Sequence, residues 1–194
     1  MRDLFLGLDC STQSLTALLT DYNSGKIIYR HSISFDKDLP HYKTQNGVII
    51  LGDGQVIHSY PLMWVESLEL LFETMNADDI PVNEIKAISG SGQQHGTVYL
   101  NSKFERTLKE LDLKQSLVTQ LESTFPRQTS PIWMDSSTTK QCEELRENLG
   151  GLKAAIELLG SNIIERFSGP QIRKFFQEKI NDYNNTSIIH LVSS

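Results

Sequence analysis

The sequence predicts a mixed α/β fold in which a three-stranded antiparallel meander feeds a helical crossover into a further strand. Three observations carry that prediction. Two short apolar runs, Leu4–Leu8 and Leu15–Thr20, flank a polar bend, and a third run, Ile27–Phe35, follows the turn Tyr22-Asn23-Ser24-Gly25-Lys26. One long helical pattern, 61–75, then precedes a strand-like run, Ile85–Ser89. The rest of the chain alternates short helical patterns with Gly and Pro stops and ends in an apolar run, Ser187–Val192.

Each element has a local reason. The segment 40–54 carries Gly47, Gly52 and Gly54 and reads as a loop, with Val48-Ile49-Ile50-Leu51 as a short edge strand inside it. Pro61 suits the first position of a helix, where its missing N–H removes no bond. Leu62, Val65, Leu68, Leu71 and Phe72 then recur at three- and four-residue spacing, and Met63 and Trp64 widen the apolar face. Ile85–Ser89 reads as a short buried strand ending in Gly90-Ser91-Gly92, with Val98–Leu100 as the strand after it. The stretch 108–125, with Leu111, Leu113, Leu117 and Leu121, reads as an insertion carrying its own helix. Ser130–Asp135 reads as extended. A helix over 137–149, capped by Ser136 or Ser137, is stopped by Gly150-Gly151. Another over 152–159 is ended by Gly160, and Pro170 opens one more through about Lys179. A domain that closes on an apolar strand, Ile188 to Ser194, is expected to be cut short.

Composition narrows the function. The 194 residues are 39% hydrophobic and 22% charged, enough for one large domain or two small ones with a real core. The net charge of -6, from 18 basic and 24 acidic residues without a basic run, argues against nucleic acid. Two scattered cysteines, Cys10 and Cys142, make neither a zinc motif nor a disulfide framework, and Cys10 reads as a small buried apolar residue. The N-terminal apolar run is too short for a signal peptide, and no run approaches the roughly 20 residues of a membrane span. The expectation is a cytoplasmic chain without membrane contact.

Four segments carry candidate chemistry. Gly7-Leu-Asp-Cys-Ser-Thr-Gln-Ser14 puts one carboxylate and four hydroxyl or amide side chains at a strand bend. Such a turn holds phosphate through backbone N–H and hydroxyl donors, and Asp9 there calls for Mg²⁺ between itself and the anion; an ordinary hairpin uses the same residues. Ser89-Gly-Ser-Gly-Gln-Gln-His-Gly96 follows a strand, where glycines admit close backbone approach and Gln94 and His95 can bond polyol hydroxyls; the plain alternative is a Gly-rich turn with a solvated His. Ile132-Trp-Met-Asp-Ser-Ser137 offers Trp133 as a pocket wall and Asp135 to fix a hydroxyl, or else a core Trp and a helix cap. Glu165-Arg-Phe-Ser-Gly-Pro-Gln171 offers the planar fork of Arg166, or else a surface Arg before a helix. Arg173 and Lys174 with Glu178 read as a solvated helix face.

In this order the segments, together with Pro61-Leu-Met-Trp-Val65, resemble the FGGY family of carbohydrate kinases, and within it the xylulokinase branch, over nearly the whole chain. Ser137 stands where many members have Arg. The resemblance implies a ribonuclease-H-like, actin-like ATPase fold, here an amino-terminal sugar-binding domain without the ATP-binding domain. It implies that Asp9 places Mg²⁺, that Thr12, Gln13 and Ser14 face the γ-phosphate of ATP, and that His95 and Arg166, with Gln94 nearby, bind the ketose. The implied reaction is phosphoryl transfer from MgATP to the terminal hydroxyl of D-xylulose. The family's proton-accepting Asp belongs to an Asp-Gly element beyond Ser194, so the resemblance puts no catalytic residue in this chain and implies that the chain alone does not phosphorylate. The alternatives are a non-catalytic sugar-binding or assembly module and, third, an actin-like scaffold ATPase. The Gln-Gln-His segment speaks against the last.

Overall fold

The computed structural model describes residues 3–192; Met1, Arg2, Ser193 and Ser194, including the end of the expected last strand, lie outside the described residues. The meander forms as expected. Strands β1 (Leu4–Cys10), β2 (Ser14–Asp21) and β3 (Lys26–Ser34) pair antiparallel, with Leu6 opposite Leu19 and Leu15 opposite Ile33. Alternation puts Leu4, Leu6, Leu15, Ala17, Leu19 and Ile33 on one buried face. A single helical turn, α1 (Phe35–Asp38), drops Phe35 into the same core.

Two short strands, β4 (Ile49–Leu51) and β5 (Val56–Ser59), lead into helix α2 (Pro61–Ala77), which begins at Pro61 as the sequence predicts. The helix serves two cores. Met63, Ser67, Leu71 and Met75, at four-residue spacing, are buried against the meander. Leu62 and Val65, from the predicted face, turn instead towards a second cluster of Leu100, Leu121 and Phe125. Full burial of one such side chain stabilises by about 1.5–3 kcal/mol.

The crossover returns as β6 (Ile85–Gly92), parallel to β1, giving the order β3-β2-β1-β6. This strand is longer than expected and is not buried. It pairs with β1 alone, and its residues from Lys86 to Ser91 are exposed. The chain continues through β7 (Thr97–Leu100), α3 (Phe104–Lys109), α4 (Leu117–Leu121) and β8 (Ser130–Pro131). It ends through α5 (Thr139–Asn148), α6 (Leu152–Leu159), α7 (Ser168–Glu178), α8 (Ile180–Asn184) and β9 (Ile188–Leu191). Strands β4-β5-β8 form a second sheet and β7-β9 a third. Helix α5 starts after Thr138 rather than at a Ser136 or Ser137 cap; Thr138 makes no capping bond, and its hydroxyl donates instead to the Glu165 carbonyl at 2.7 Å. Nor is α7 a plain solvated face. Arg173 Nε donates to Glu144 at 2.7 Å and Lys174 Nζ to Ser137 Oγ at 2.8 Å, because α7 packs on α5.

Candidate functional site

The parallel pair β1 and β6 decides where the site lies, since polar segments at the carboxyl ends of parallel strands open into a crevice. Asp9 stands opposite Ser91, and the Ser91 hydroxyl donates to Asp9 Oδ1 at 2.6 Å. The carboxylate itself is exposed. Immediately beyond it the chain makes a tight turn. Ser11 N and Ser11 Oγ both donate to the Ser14 carbonyl, at 2.9 and 3.1 Å. The Phe35 N–H donates to the Gln13 carbonyl at 3.0 Å. Gln13 is exposed, while Thr12 and Ser14 are half-buried.

This turn rests on a second one, within the 40–54 loop. Gly47 lies so close beneath it that a Cβ there would stand 2.0 Å from the Thr12 carbonyl oxygen, and Gly47 has φ +76. Asp36 holds Gly47 in place, accepting from the N–H groups of Asn46 at 2.6 Å and Gly47 at 2.9 Å and from Thr44 Oγ1 at 2.7 Å. Desolvation pushes the Asp36 carboxyl upward, but these bonds, Thr44 foremost, outweigh it and hold the carboxyl below its ordinary range.

The Gln-Gln-His segment is tied to the same turn. The Gln93 N–H donates to the Cys10 carbonyl at 3.0 Å. Gln93 is buried, and neither amide atom of its side chain meets a protein partner among the described residues. Gln94 is exposed. His95 adopts φ +64, a left-handed conformation that costs a β-carbon-bearing residue about 1–2 kcal/mol. Strain of this kind gathers where a side chain must point in one direction. The imidazole lies against Phe167, ring centroids 5.3 Å apart, which brings it beside the Arg166 segment. The glycines here admit the chain itself: a Cβ on Gly92 would meet the Val192 carbonyl oxygen at 2.5 Å.

The remaining two segments face each other across a cleft of about 520 Å³ lined by Trp133, Met134, Asp135, Ser136, Ile164, Glu165 and Arg166. Trp133 is 42% exposed, and its indole N–H donates to Thr12 Oγ1 at 3.0 Å, closing the circuit back to the first turn. All four sequence segments therefore meet at one end of the sheet, joined by Cys10–Gln93, His95–Phe167 and Trp133–Thr12. Arg166 is exposed at the cleft.

A profile for the N-terminal domain of the FGGY family of carbohydrate kinases matches residues 4–194. The chain belongs to the FGGY family. Over 193 residues it is 45% identical to xylulose kinase 2 of Arabidopsis thaliana, covering 98% of this chain and 34% of that protein. It is 42% identical to the xylulose kinase of Rattus norvegicus, covering 100% of this chain and 36% of that protein. The crystal structure of xylulose kinase from Bifidobacterium adolescentis superposes with a TM-score of 0.69 at 18% identity, over 99% of this chain and 33% of that one. The actin-like fold expected from the motifs is thus the fold observed. The chain spans about a third of the length of these relatives.

In this FGGY chain Trp133 lines the cleft, as its pocket-wall reading expects, and only the reading of Asp135 as a carboxylate free to fix a hydroxyl is overturned. Trp133 is exposed rather than core, and Asp135 is buried at 1% exposure and occupied by protein groups. Its carboxylate accepts from Ile57 N at 2.9 Å, Ser137 N at 3.0 Å, Ser137 Oγ at 2.6 Å and Gln171 Nε2 at 2.7 Å, with His58 Nε2 at 3.5 Å. Asp135 therefore builds the cleft floor and has no oxygen to offer a sugar hydroxyl. A carboxylate only accepts, so His58 presents a protonated Nε2 to it, and Nδ1 accepts from Thr129 Oγ1 at 2.8 Å. Burial and the nearby Arg127 push His58 down to about 4, against the pull of Asp135 and with a further push from Lys174. Asp36 with Gly47 and Gln93 are the residues that motif reading missed. In the sequence Gly47 marks a loop but not what that loop supports.

Cys10 is half-buried rather than buried as expected; desolvation first and then the Asp9 charge push its thiol up to about 12, which keeps it unreactive. Among the described residues no group of three or more His, Cys, Asp or Glu side chains is gathered to hold a metal ion, and no helix is long and apolar enough to cross a membrane.

Proposed function

We propose that this chain is the sugar-binding part of a xylulose kinase, and that the whole protein transfers the γ-phosphate of MgATP to the terminal hydroxyl of D-xylulose. The observation that carries the reading is the set of contacts that joins the four motif segments at one end of the sheet, beside the cleft of Trp133 and Arg166, in a chain 42–45% identical to xylulose kinases. His95, packed against Phe167, and Arg166, at the cleft, bind the ketose, His95 through its imidazole and Arg166 through its guanidinium fork, with Gln94 nearby. Thr12, Gln13 and Ser14 face the γ-phosphate, where their hydroxyl and amide groups donate to its oxygens.

Asp9 fits Mg²⁺ as a single carboxylate, which suffices when phosphate oxygens and water fill the rest of the coordination sphere. The Ser91 hydroxyl on Oδ1 orients that carboxylate. When bound, MgATP supplies the transferable phosphoryl group and neutralises its charge; what this chain adds is position, the main component of phosphoryl-transfer catalysis. On its own the chain would hold sugar weakly and transfer nothing, since closure of a cleft normally supplies the remaining contacts.

Calorimetric titration of the chain with D-xylulose and other ketopentoses tests the reading. Binding of D-xylulose that weakens at least about tenfold in both His95→Ala and Arg166→Ala supports it. Binding indifferent to both substitutions contradicts it. Turnover in a coupled assay by the purified 194-residue chain would contradict the assignment of catalysis to the rest of the protein.

A further inference from the structure

Trp133 is the side chain that touches both halves of the crevice. Its ring is one wall of the cleft that holds Arg166, and its Nε1–H reaches 3.0 Å to the hydroxyl of Thr12, 121 residues away in sequence. Both ends of this bond are anchored. On the Trp133 side, the Asp135 N–H donates to the Ile132 carbonyl at 2.9 Å and the Ile132 N–H to the Ile57 carbonyl at 3.3 Å, while the buried Asp135 carboxylate fixes the chain two residues on. On the Thr12 side, the Ser11–Ser14 bonds close the turn and Gly47 supports it from below.

The bond also has a direction. An indole N–H only donates, so Thr12 Oγ1 must accept from it, and the hydroxyl proton of Thr12 is turned away from Trp133. A threonine hydroxyl without that donor rotates freely between donor and acceptor roles. The exposed ring is an unusual place to keep a specific hydrogen bond, because solvent competes for it. It persists where the ring is held for its own sake, as a surface on which a ligand rests.

We propose that Trp133 is a positioning residue that couples sugar occupancy to the phosphate-facing turn, holding the Thr12 hydroxyl as a donor towards a phosphoryl oxygen. The proposal rests on the sugar-kinase reading above. A ketose lying against the indole restrains the ring; the restrained ring holds its N–H on Thr12; and the turn 11–14 is then set for the phosphate. Trp133 itself makes no bond to the reacting atoms.

Three variants separate the elements of this chain of contacts. Trp133→Phe keeps a ring and removes the N–H, Trp133→Ala removes both, and Thr12→Val keeps the branched shape and removes the hydroxyl. Two probes are used, D-xylulose and inorganic phosphate with Mg²⁺. With D-xylulose, amide exchange at Thr12, Gln13 and Ser14 slows at least about threefold in the wild-type chain. In Trp133→Phe that protection is lost although the sugar affinity changes by less than about threefold, whereas Trp133→Ala loses sugar affinity as well. With phosphate, Trp133→Phe and Thr12→Val each weaken binding roughly threefold to tenfold, the range of one neutral hydrogen bond, and the double variant is no weaker than the worse single one.

Retention of sugar-induced protection in Trp133→Phe, or additive losses in the double variant, overturns the proposal. So does an absence of phosphate binding at millimolar concentration. If the wild-type chain binds no D-xylulose, the ketose assignment fails by itself, and the phosphate cycle still decides whether Trp133 positions Thr12.

Discussion

Substituting Gly47 with Ala tests how the phosphate-facing turn is supported. A Cβ at this position would lie 2.0 Å from the Thr12 carbonyl oxygen and 2.9 Å from Gln13 Cα, both backbone atoms that no rotamer change can move. Real Cβ contacts do not fall below 3.0 Å, so the two turns must separate by about 1 Å. Gly25 is the control. It has φ +66, close to the +76 of Gly47, with nothing within 4 Å of its would-be Cβ. Left-handed strain of about 1–2 kcal/mol and the loss of unfolded-state freedom worth about 0.4–1 kcal/mol apply to both substitutions and cancel in the comparison. What remains at Gly47 is overpacking, about 1–3 kcal/mol, and contact with rigid backbone puts it near the upper end. In a chain of this size about 3 kcal/mol corresponds to a melting temperature roughly 6–12 °C lower than that of Gly25→Ala. Thermal unfolding followed by circular dichroism reads the difference. Equal melting temperatures for the two variants would refute the claim that Gly47 is the floor of the turn.

Other outcomes follow from the same geometry. Asp135→Ala strands several buried donors and is expected to destabilise the chain by about 3–5 kcal/mol, with a smaller loss for Asp135→Asn, as measured by urea titration. His58 is held neutral in the fold, with its pKa lowered to about 4 from 6.5. The unfolded chain therefore binds a proton that the folded chain does not, and stability is full above pH 6.5 and falls as the pH drops towards 4. The slope approaches about 1.4 kcal/mol per pH unit, and a His58→Gln variant should lack this component of the pH profile. His95→Gly should relieve the strain at φ +64 and leave stability unchanged or raised by up to about 1 kcal/mol, while removing ketose binding; a large loss of stability would contradict the view that His95 is held there for function.

The meander was legible because its strands obey simple alternation, with Leu4, Leu6, Leu15, Ala17 and Leu19 all facing inward. Helix α6 was legible from its Gly151 and Gly160 boundaries, both at positive φ. Strand β5 was not, because it buries His58 and Ser59 while leaving Val56 and Ile57 half-exposed, the reverse of the pattern that marks a strand. Helix α8 follows α7 after the single residue Lys179, without a capping signal between them. The exposure of β6 is not legible because a sequence shows a strand's own residues and not how many neighbours it has.

At the site, the four segments were legible by residue type and their convergence by resemblance. The pocket-wall reading of Trp133 holds, whereas the burial of Asp135 is hidden because a carboxylate ordinarily sits in solvent. Only the bonds from Ile57, Ser137 and Gln171 reveal why Asp135 belongs inside. The support from Asp36 and Gly47 depends on a loop folding back beneath the Thr12 turn, a contact between segments about 35 residues apart that no local pattern encodes.

The central claim is that a ketose binds at the cleft of Trp133 and Arg166, within reach of His95 beside Phe167. Nuclear magnetic resonance titration of the isotopically labelled chain with D-xylulose tests it most directly. The account predicts saturable shifts of the His95 amide, the Trp133 indole N–H and the Arg166 segment, with Thr12 following. Saturable shifts confined to another part of the surface, such as the apolar groove beside Trp64, Phe104 and Leu108, or no shifts at millimolar sugar, would contradict it.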